Sequence, residues 1–380
     1  MVAFYITKMM FIIMMFVRSC HLYQHVSVLA ASESPLPMVS PLDEQAMAAA
    51  RQLQDRLTKP RGALGRLEEL SVQLAGIAGA CPPPVPTPAA LCVFASDHGV
   101  VAQGVTPWPQ EVTAQMAANI AGGGAAISVL ARQHGATLIV VDVGIAGDVS
   151  DLPGIEHRKV RAGTADLSTG AAMSAAERDA CIGIGRDVAR RAIDSGARMI
   201  VTGEMGIGNT TASAALIAAL TGVSVERCTG RGTGIDDAML SHKIDIITGA
   251  VGRLDHASTP LDILAEVGGL EIAALAGLCI EAAAKRVPVL VDGVISLAAL
   301  LVADRMVPGV ARYVIAGHRS SEPGATVVLE SLGLQPLVEL DMRLGEGSGA
   351  ATALPIVVSA ALLIGQMATF DGAGVTDKAP

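Results

Sequence analysis

The sequence predicts an α/β fold: a parallel β-sheet covered by helices on both sides. Three observations carry this. Hydrophobic residues make up 51% of the chain but aromatics only 2%, so the core is built from Ala, Val, Ile and Leu, the usual filling between helices and a parallel sheet. Short β-branched runs alternate with Ala-rich helical stretches, as βαβ units require. The runs are apolar on both faces, which fits strands buried from two sides. At 380 residues the chain can bury a large core, in about two domains or one large α/β domain.

In chain order, residues 9–17, "MMFIIMMFV", form an apolar run between Lys8 and Arg18. It is too short for a span of about 20 residues but suits a signal-peptide core. Against export, Arg18 to Val28 is long and carries two histidines, and "VLA" at 28–30 is a mediocre cleavage site. Residues 1–37 are therefore read as a dispensable extension, disordered or mis-started, ahead of a cytosolic start at Met38. Asp43 to Leu57 has helical periodicity, with a cap expected at Ser40 and a stop at Pro60. A second amphipathic helix is expected from Gly65 to Ile77. "CPPPVPTP", 81–88, fits neither helix nor central strand and reads as a linker.

Beyond the linker the predicted strands are 91–96, 137–143, 198–204, 287–293 and 312–317. In such sheets ligands sit where loops converge at the carboxyl ends of strands. The unusual polar and Gly-rich clusters fall there: "SDHGVVAQGVTPWPQE", "GEMGIGNTT", "DGVISL" and "GHRSSEPGA".

Charge and cysteines narrow the function. The net charge is −9 and no basic block or RNA-binding aromatic motif occurs, which argues against a nucleic-acid partner. Six scattered cysteines without a C-x-x-C pair read as reduced core thiols of a cytoplasmic protein, with no zinc site.

"TGEMGIGNTTASAALIAAL", 202–220, is a strand end, a glycine loop and a helix. Its physics suits an anion, because successive N–H groups and a helix N-terminus converge. Asn209 stands where a Walker lysine would be, and Thr211 where the third dinucleotide glycine would be, so neither motif is complete. A capped tight turn is the competing reading. "GRGTGIDD", 230–237, with Lys243 offers a second Gly-rich loop and a point charge, or a plain loop with a solvated lysine. Asp97 and His98 lack ligand-spaced partners, so they are expected to fasten loops rather than bind metal. Trp108, between two prolines, reads equally as a pocket wall or a loop anchor. Ser320 and Ser321 are placed to bond a phosphate or ribose, or to cap the next helix.

Glu346 is the sharpest feature: a carboxylate between Gly345 and Gly347, read as exposed and open to a planar substrate. Three roles are open to it. It forms a surface ion pair with Arg343, half of a glycosidase-type pair with Glu204, or a lone base.

Taken together and in order, "KPRGALGRLEEL", "FASDHGVVAQGVTPWPQEVTAQM", "TGEMGIGNTTASAAL", "GRGTGIDD", "EVGGLEIAALAG", "DGVISLAAL", "GHRSSEPGA" and "RLGEGSGAATALP" closely resemble the nicotinate-nucleotide:dimethylbenzimidazole phosphoribosyltransferase family. The resemblance covers about residues 40–370. It implies a Rossmann-like parallel-sheet domain, here 89–345, and a small helical domain drawn from 38–88 and 346–380. It also implies a homodimer without a cofactor. The implied reaction moves phosphoribose from nicotinate mononucleotide to 5,6-dimethylbenzimidazole in cobalamin nucleotide-loop assembly. By resemblance Glu346 matches the general base and Glu204 the acid near the ribose. Gly206, Gly208, Asn209, Thr210 and Thr211, with Gly232, Thr233 and Gly234, match nucleotide-phosphate contacts. Lys243 matches a substrate-binding lysine and Gln115 a benzimidazole-pocket residue. Trp108 stands where the family leads one to expect Phe or Tyr, which leaves the preferred base open. The competing functions are a nucleoside or nucleotide hydrolase or phosphorylase, and a non-catalytic nucleotide sensor.

Overall fold

Six parallel strands form the centre of the structure, in the order β3-β2-β1-β4-β5-β6. The computed structural model describes residues 35–376, and from Pro37 onward the chain forms one compact unit. The reading of residues 1–37 as an extension, and of 9–17 as a signal-like core, lies almost wholly outside the described residues.

The described residues begin with helices α1 (Glu44–Arg56) and α2 (Arg66–Ala78), then enter β1 (Ala89–Ser96). Asp43, not Ser40, caps α1, its Oδ1 accepting from the Ala46 N–H at 2.8 Å. Next come α3 (Val112–Ala121), α4 (Ala126–His134), β2 (Thr137–Gly144) and β3 (Ile155–His157). α5 (Ala175–Asp194) leads to β4 (Met199–Met205) and α6 (Asn209–Thr221). The short α7 (Val225–Cys228), α8 (Asp237–Gly252), α9 (Pro260–Val267) and α10 (Leu270–Ala284) precede β5 (Val289–Val291). The chain ends with α11 (Val294–Met306), β6 (Val314–Ala316), α12 (Pro323–Leu332), α13 (Ser348–Gln366) and α14 (Phe370–Ala373).

All five predicted strands are present, although β5 and β6 are only three residues long and Val310–Tyr313 is a 3-10 turn. β3 was not expected. It is a three-residue edge strand whose hydrophobic content is one residue, Ile155, too little to stand out as a pattern.

The strand order is that of a doubly wound sheet, and every pairing is parallel. The order reverses between β1 and β4, so the loops leaving these two strands diverge and open a crevice at their carboxyl ends. Helices cover both faces. On one, α2, α3, α4 and α13 share a core with Leu91, Val93, Ala95, Val140, Val201, Leu290 and Ile315. On the other, α10 lies along β1, β2, β4 and β5, flanked by α5 and α11. Two glycines let α5 and α10 meet backbone to backbone: a β-carbon at Gly185 would run into the Ala274 carbonyl, and one at Gly277 into that of Ile182.

Helices near the two ends of the described residues meet. Ala46, Ala50, Val72 and Ala75 pack with Ile364, and Leu57 forms an antiparallel bridge with Thr369. α13 therefore serves both layers, its first half in the sheet core and its last turn against α1 and α2. By length and composition α13 could cross a membrane, but 56% of its apolar window is already buried inside the protein.

Candidate active site

β4 delivers Glu204 to the crevice, and Gly206 to Gly208 then turn the chain into α6. Gly208 adopts φ +95° as the N-cap, a conformation that suits glycine. Glu204 is 5% exposed, and its Oε2 accepts from the amide of Asn209, the first residue of α6. Burial, then the charges of Asp292 and Glu271, push its pKa up to about 8, with Glu346 adding and the Asn209 bond opposing.

Next along α6, Thr210 Oγ1 accepts from Lys243 Nζ at 2.8 Å. Lys243 reaches in from α8 and is 2% exposed, so it is not the solvated lysine that the sequence left open. Burial lowers its pKa to about 8, against the pull of Glu322. Around it lies the second glycine loop, with Gly232 in the left-handed region at φ +52°. The N-terminus of α6 and the buried ammonium together suit an anion.

Glu204, Asn209, Thr210, Gly232, Ser320 and Arg343 line one cavity of about 590 Å³, including its open mouth.

The loop carrying Glu346 closes the site from the other side. Gly345, Glu346 and Gly347 have φ of +82°, +64° and +91°. Glu346 thus sits in a region that side-chain-bearing residues rarely adopt. The glycines permit backbone approach to β4: β-carbons at Gly345, Gly347 and Gly203 would strike Glu204 Oε1, the Thr202 carbonyl and the Glu346 carbonyl.

Glu346 is not an exposed acid. It is 4% exposed, and its Oε2 accepts from the Ile127 N–H at 3.3 Å, at the N-terminus of α4. Burial and the Asp292 charge raise its pKa, opposed by the amides of Ile127 and Ala126. Nor is it ion-paired with Arg343, whose Nη1 donates instead to the Gly232 carbonyl at 2.8 Å.

Asp292, at the end of β5, holds the loop in place. Its Oδ1 accepts from Ala350 N–H at 2.9 Å and its Oδ2 from Gly347 N–H at 3.2 Å. A carboxylate on the first turn of α13 also suits the helix dipole. His318 Nε2 lies 3.5 Å from the same Oδ1.

Of the residues named from sequence, Glu204, Gly206, Asn209, Thr210, Gly232, Thr233 and Ser320 face this cavity. Gly208 and Lys243 line an adjoining recess. Glu346 is not itself in the cavity lining, but its neighbour Gly345 is. Thr211 is wholly buried within α6. Gly234, Ser321 and Gln115 are exposed and outside the cavity lining. Trp108 is 47% exposed and outside it too, so it is neither a wall of this cavity nor a buried anchor. Asp97 and His98 fasten loops as expected: His98 Nε2 meets Glu271 Oε1 at 2.8 Å, both fully buried, and Asp97 Oδ2 accepts from Ala146 N–H at 2.7 Å. Asp292, His318 and Glu322 were missed as individual residues, although "DGVISL" and "GHRSSEPGA" contain them. Their only signal was position at a strand end. Among the described residues no group of three or more His, Cys, Asp or Glu is placed to hold a metal ion.

A family model described as phosphoribosyltransferase matches residues 39–375. The nicotinate-nucleotide:dimethylbenzimidazole phosphoribosyltransferase of Salinispora tropica is 53% identical over 355 residues, covering 90% of this chain and 98% of the relative. The chain belongs to the nicotinate-nucleotide:dimethylbenzimidazole phosphoribosyltransferase family. The same-named protein of Chloroflexus aggregans is 52% identical over 343 residues, 90% of this chain and 96% of the relative. Among solved structures, CobT from Thermus thermophilus superposes with a TM-score of 0.86 at 46% identity, over 88% of this chain and 100% of that one. In this member of the phosphoribosyltransferase family, the α6 N-terminus with Lys243, Glu204 and the loop carrying Glu346 share the carboxyl edge of one sheet.

Proposed function

We propose that this pocket transfers phosphoribose from nicotinate mononucleotide to 5,6-dimethylbenzimidazole, giving α-ribazole 5′-phosphate and nicotinate, with Glu346 as general base. Family membership supports the reaction. The observation that carries the residue roles is the seating of the Glu346 loop against Glu204 through Gly345, beside the buried Lys243 and with Arg343 turned away from Glu346.

The chemistry needs these groups. The bare ring nitrogen of the benzimidazole attacks the anomeric carbon as the bond to the pyridinium nitrogen breaks. Nicotinate leaves with the bonding pair as a neutral ring nitrogen and needs no proton. Positive charge develops on the benzimidazole, its other N–H becomes acidic, and Glu346 removes that proton. A carboxylate whose pKa is raised by burial and Asp292 is a better base than a solvated one. Displacement from the β-nucleotide inverts the centre to α.

Burial, which raises the pKa of Glu204 to about 8, favours its protonated form near neutral pH. A pyridinium donor entering beside it favours the carboxylate, which then stabilises the oxocarbenium-like sugar. Lys243 and Thr210, at the N-terminus of α6, hold the phosphate. Gln115 and Trp108 lie outside the cavity lining, so their assignment to the base pocket rests on resemblance alone.

The same reading takes the chain to be a cytoplasmic homodimer, with 38–88 and 346–380 forming a small helical domain. The contact of α1 and α2 with the end of α13 supports the last point. Incubation with nicotinate mononucleotide and a panel of aromatic bases, with mass analysis of products, tests the function. The expected result is base-dependent nicotinate release and a ribazole phosphate. Release without added base indicates a hydrolase, and recovery of unchanged nucleotide indicates a sensor; either refutes the proposal.

A further inference from the structure

Gly232 is gripped from both sides. Its N–H donates to Glu322 Oε1 at 2.8 Å, and its carbonyl accepts from Arg343 Nη1 at 2.8 Å. Both bonds are charge-assisted and stronger than neutral ones. Glu322 is buried and stands at the start of α12. It also fills the space beside Gly230, where any β-carbon would meet its carboxylate. Gly230 in turn offers its carbonyl to Lys243 Nζ at 3.5 Å.

Arg343 belongs to the other loop. It stands three residues before Glu346, in a segment fastened at two further points. Met342 accepts from the Ser321 N–H at 3.1 Å, and Gly345 lies against Glu204. Through one glycine, therefore, the nucleotide loop beside Lys243 is joined to the loop that aims Glu346.

We infer that Glu322 and Arg343 are positioning residues that couple donor-nucleotide binding to the orientation of Glu346 through the backbone of Gly232. Neither acts on the reacting atoms. Glu322 fixes the Gly-rich loop around Lys243, and Arg343 transmits that order to the base loop. Orientation of this kind is worth much of a catalytic barrier, so a slackened base loop costs turnover more than binding. The inference rests on the roles proposed for Lys243 and Glu346.

A double-mutant cycle tests it, with kcat and the KM for nicotinate mononucleotide measured at saturating 5,6-dimethylbenzimidazole. Glu322→Leu removes the acceptor, and KM rises about 10-fold, the worth of one charge-assisted bond. Glu322→Gln keeps an acceptor for the Gly232 N–H and recovers most of that loss. Arg343→Met lowers kcat about 10-fold with a smaller change in KM. Because both side chains act through Gly232, the double variant loses much less in kcat/KM than the product of the single losses. Losses that multiply fully, or a Gln variant no better than Leu, overturn the inference. If Glu322→Leu does not fold, Glu322→Asp takes its place in the cycle under the same criteria, since it keeps the charge but shortens the reach. Failure of the functional reading is distinct, because wild-type protein would then show no base-dependent release of nicotinate.

Discussion

Gly345 lies directly against the carboxylate of Glu204, so that a β-carbon on residue 345 would run into Glu204 Oε1. The glycine thus brings the backbone beside Glu346 onto β4. The loop bearing one acid rests against the other because one residue has no side chain.

Gly345→Ala meets both that collision and a φ of +82°. The expected outcome is a loss of about 1–3 kcal/mol of stability, read by denaturant unfolding, together with a fall in kcat/KM of ~10-fold or more as the base loop lifts from β4. Unchanged kinetics would show that the approach is not needed for catalysis.

Glu204 carries a pH signature. Its pKa is raised to about 8 in the folded protein, against about 4.3 in an unfolded chain. Between these values the folded state holds a proton that the unfolded state has lost, so stability falls as pH rises through the window. Glu204→Gln removes that contribution. The unfolding temperature of the variant minus that of the wild type should grow from pH 5 to pH 8, reaching ~2 °C or more. Parallel curves would contradict the assignment.

For Lys243 the relevant readout is donor binding. With its pKa lowered to about 8 by burial, the ammonium is lost as pH rises from 7 to 9. The KM for nicotinate mononucleotide should climb over that interval. Lys243→Arg, charged throughout, should flatten the climb even if its overall affinity is poorer. An equally steep rise in the variant would place the titrating group elsewhere.

Asp292 was not singled out from sequence, yet it accepts from both Gly347 and Ala350. Asp292→Asn exchanges one acceptor for a donor facing a donor, which leaves a buried N–H unpaired and costs about 1–3 kcal/mol of stability. Turnover should fall more than nicotinate mononucleotide affinity, because the loop it fixes bears the base. Equal losses in kcat and binding would make it a general structural residue.

Much of this was legible in the residues. The apolar runs that became β1, β2 and β4 are long enough to be read, and the Gly-rich clusters do sit at strand ends. Sequence placed Glu204, Asn209, Thr210 and Lys243 in loops and helices near the site, without showing which of them are buried. β3 escaped because three edge residues leave no periodic trace. Asp292, His318 and Glu322 escaped because their roles come from contacts with Gly347, Ala350 and Gly232, far away along the chain. The exposed reading of Glu346 failed for a related reason. Its glycines bring it down onto β4 and α4, which local sequence cannot distinguish from holding it out into solvent.

The most direct measurement is turnover of Glu346→Gln with nicotinate mononucleotide and 5,6-dimethylbenzimidazole, alongside donor affinity measured separately. The variant should fold and bind the nucleotide normally but release nicotinate ~10²-fold more slowly or worse, the usual worth of a positioned base. Near-normal turnover would contradict the role of Glu346 and the mechanism built on it.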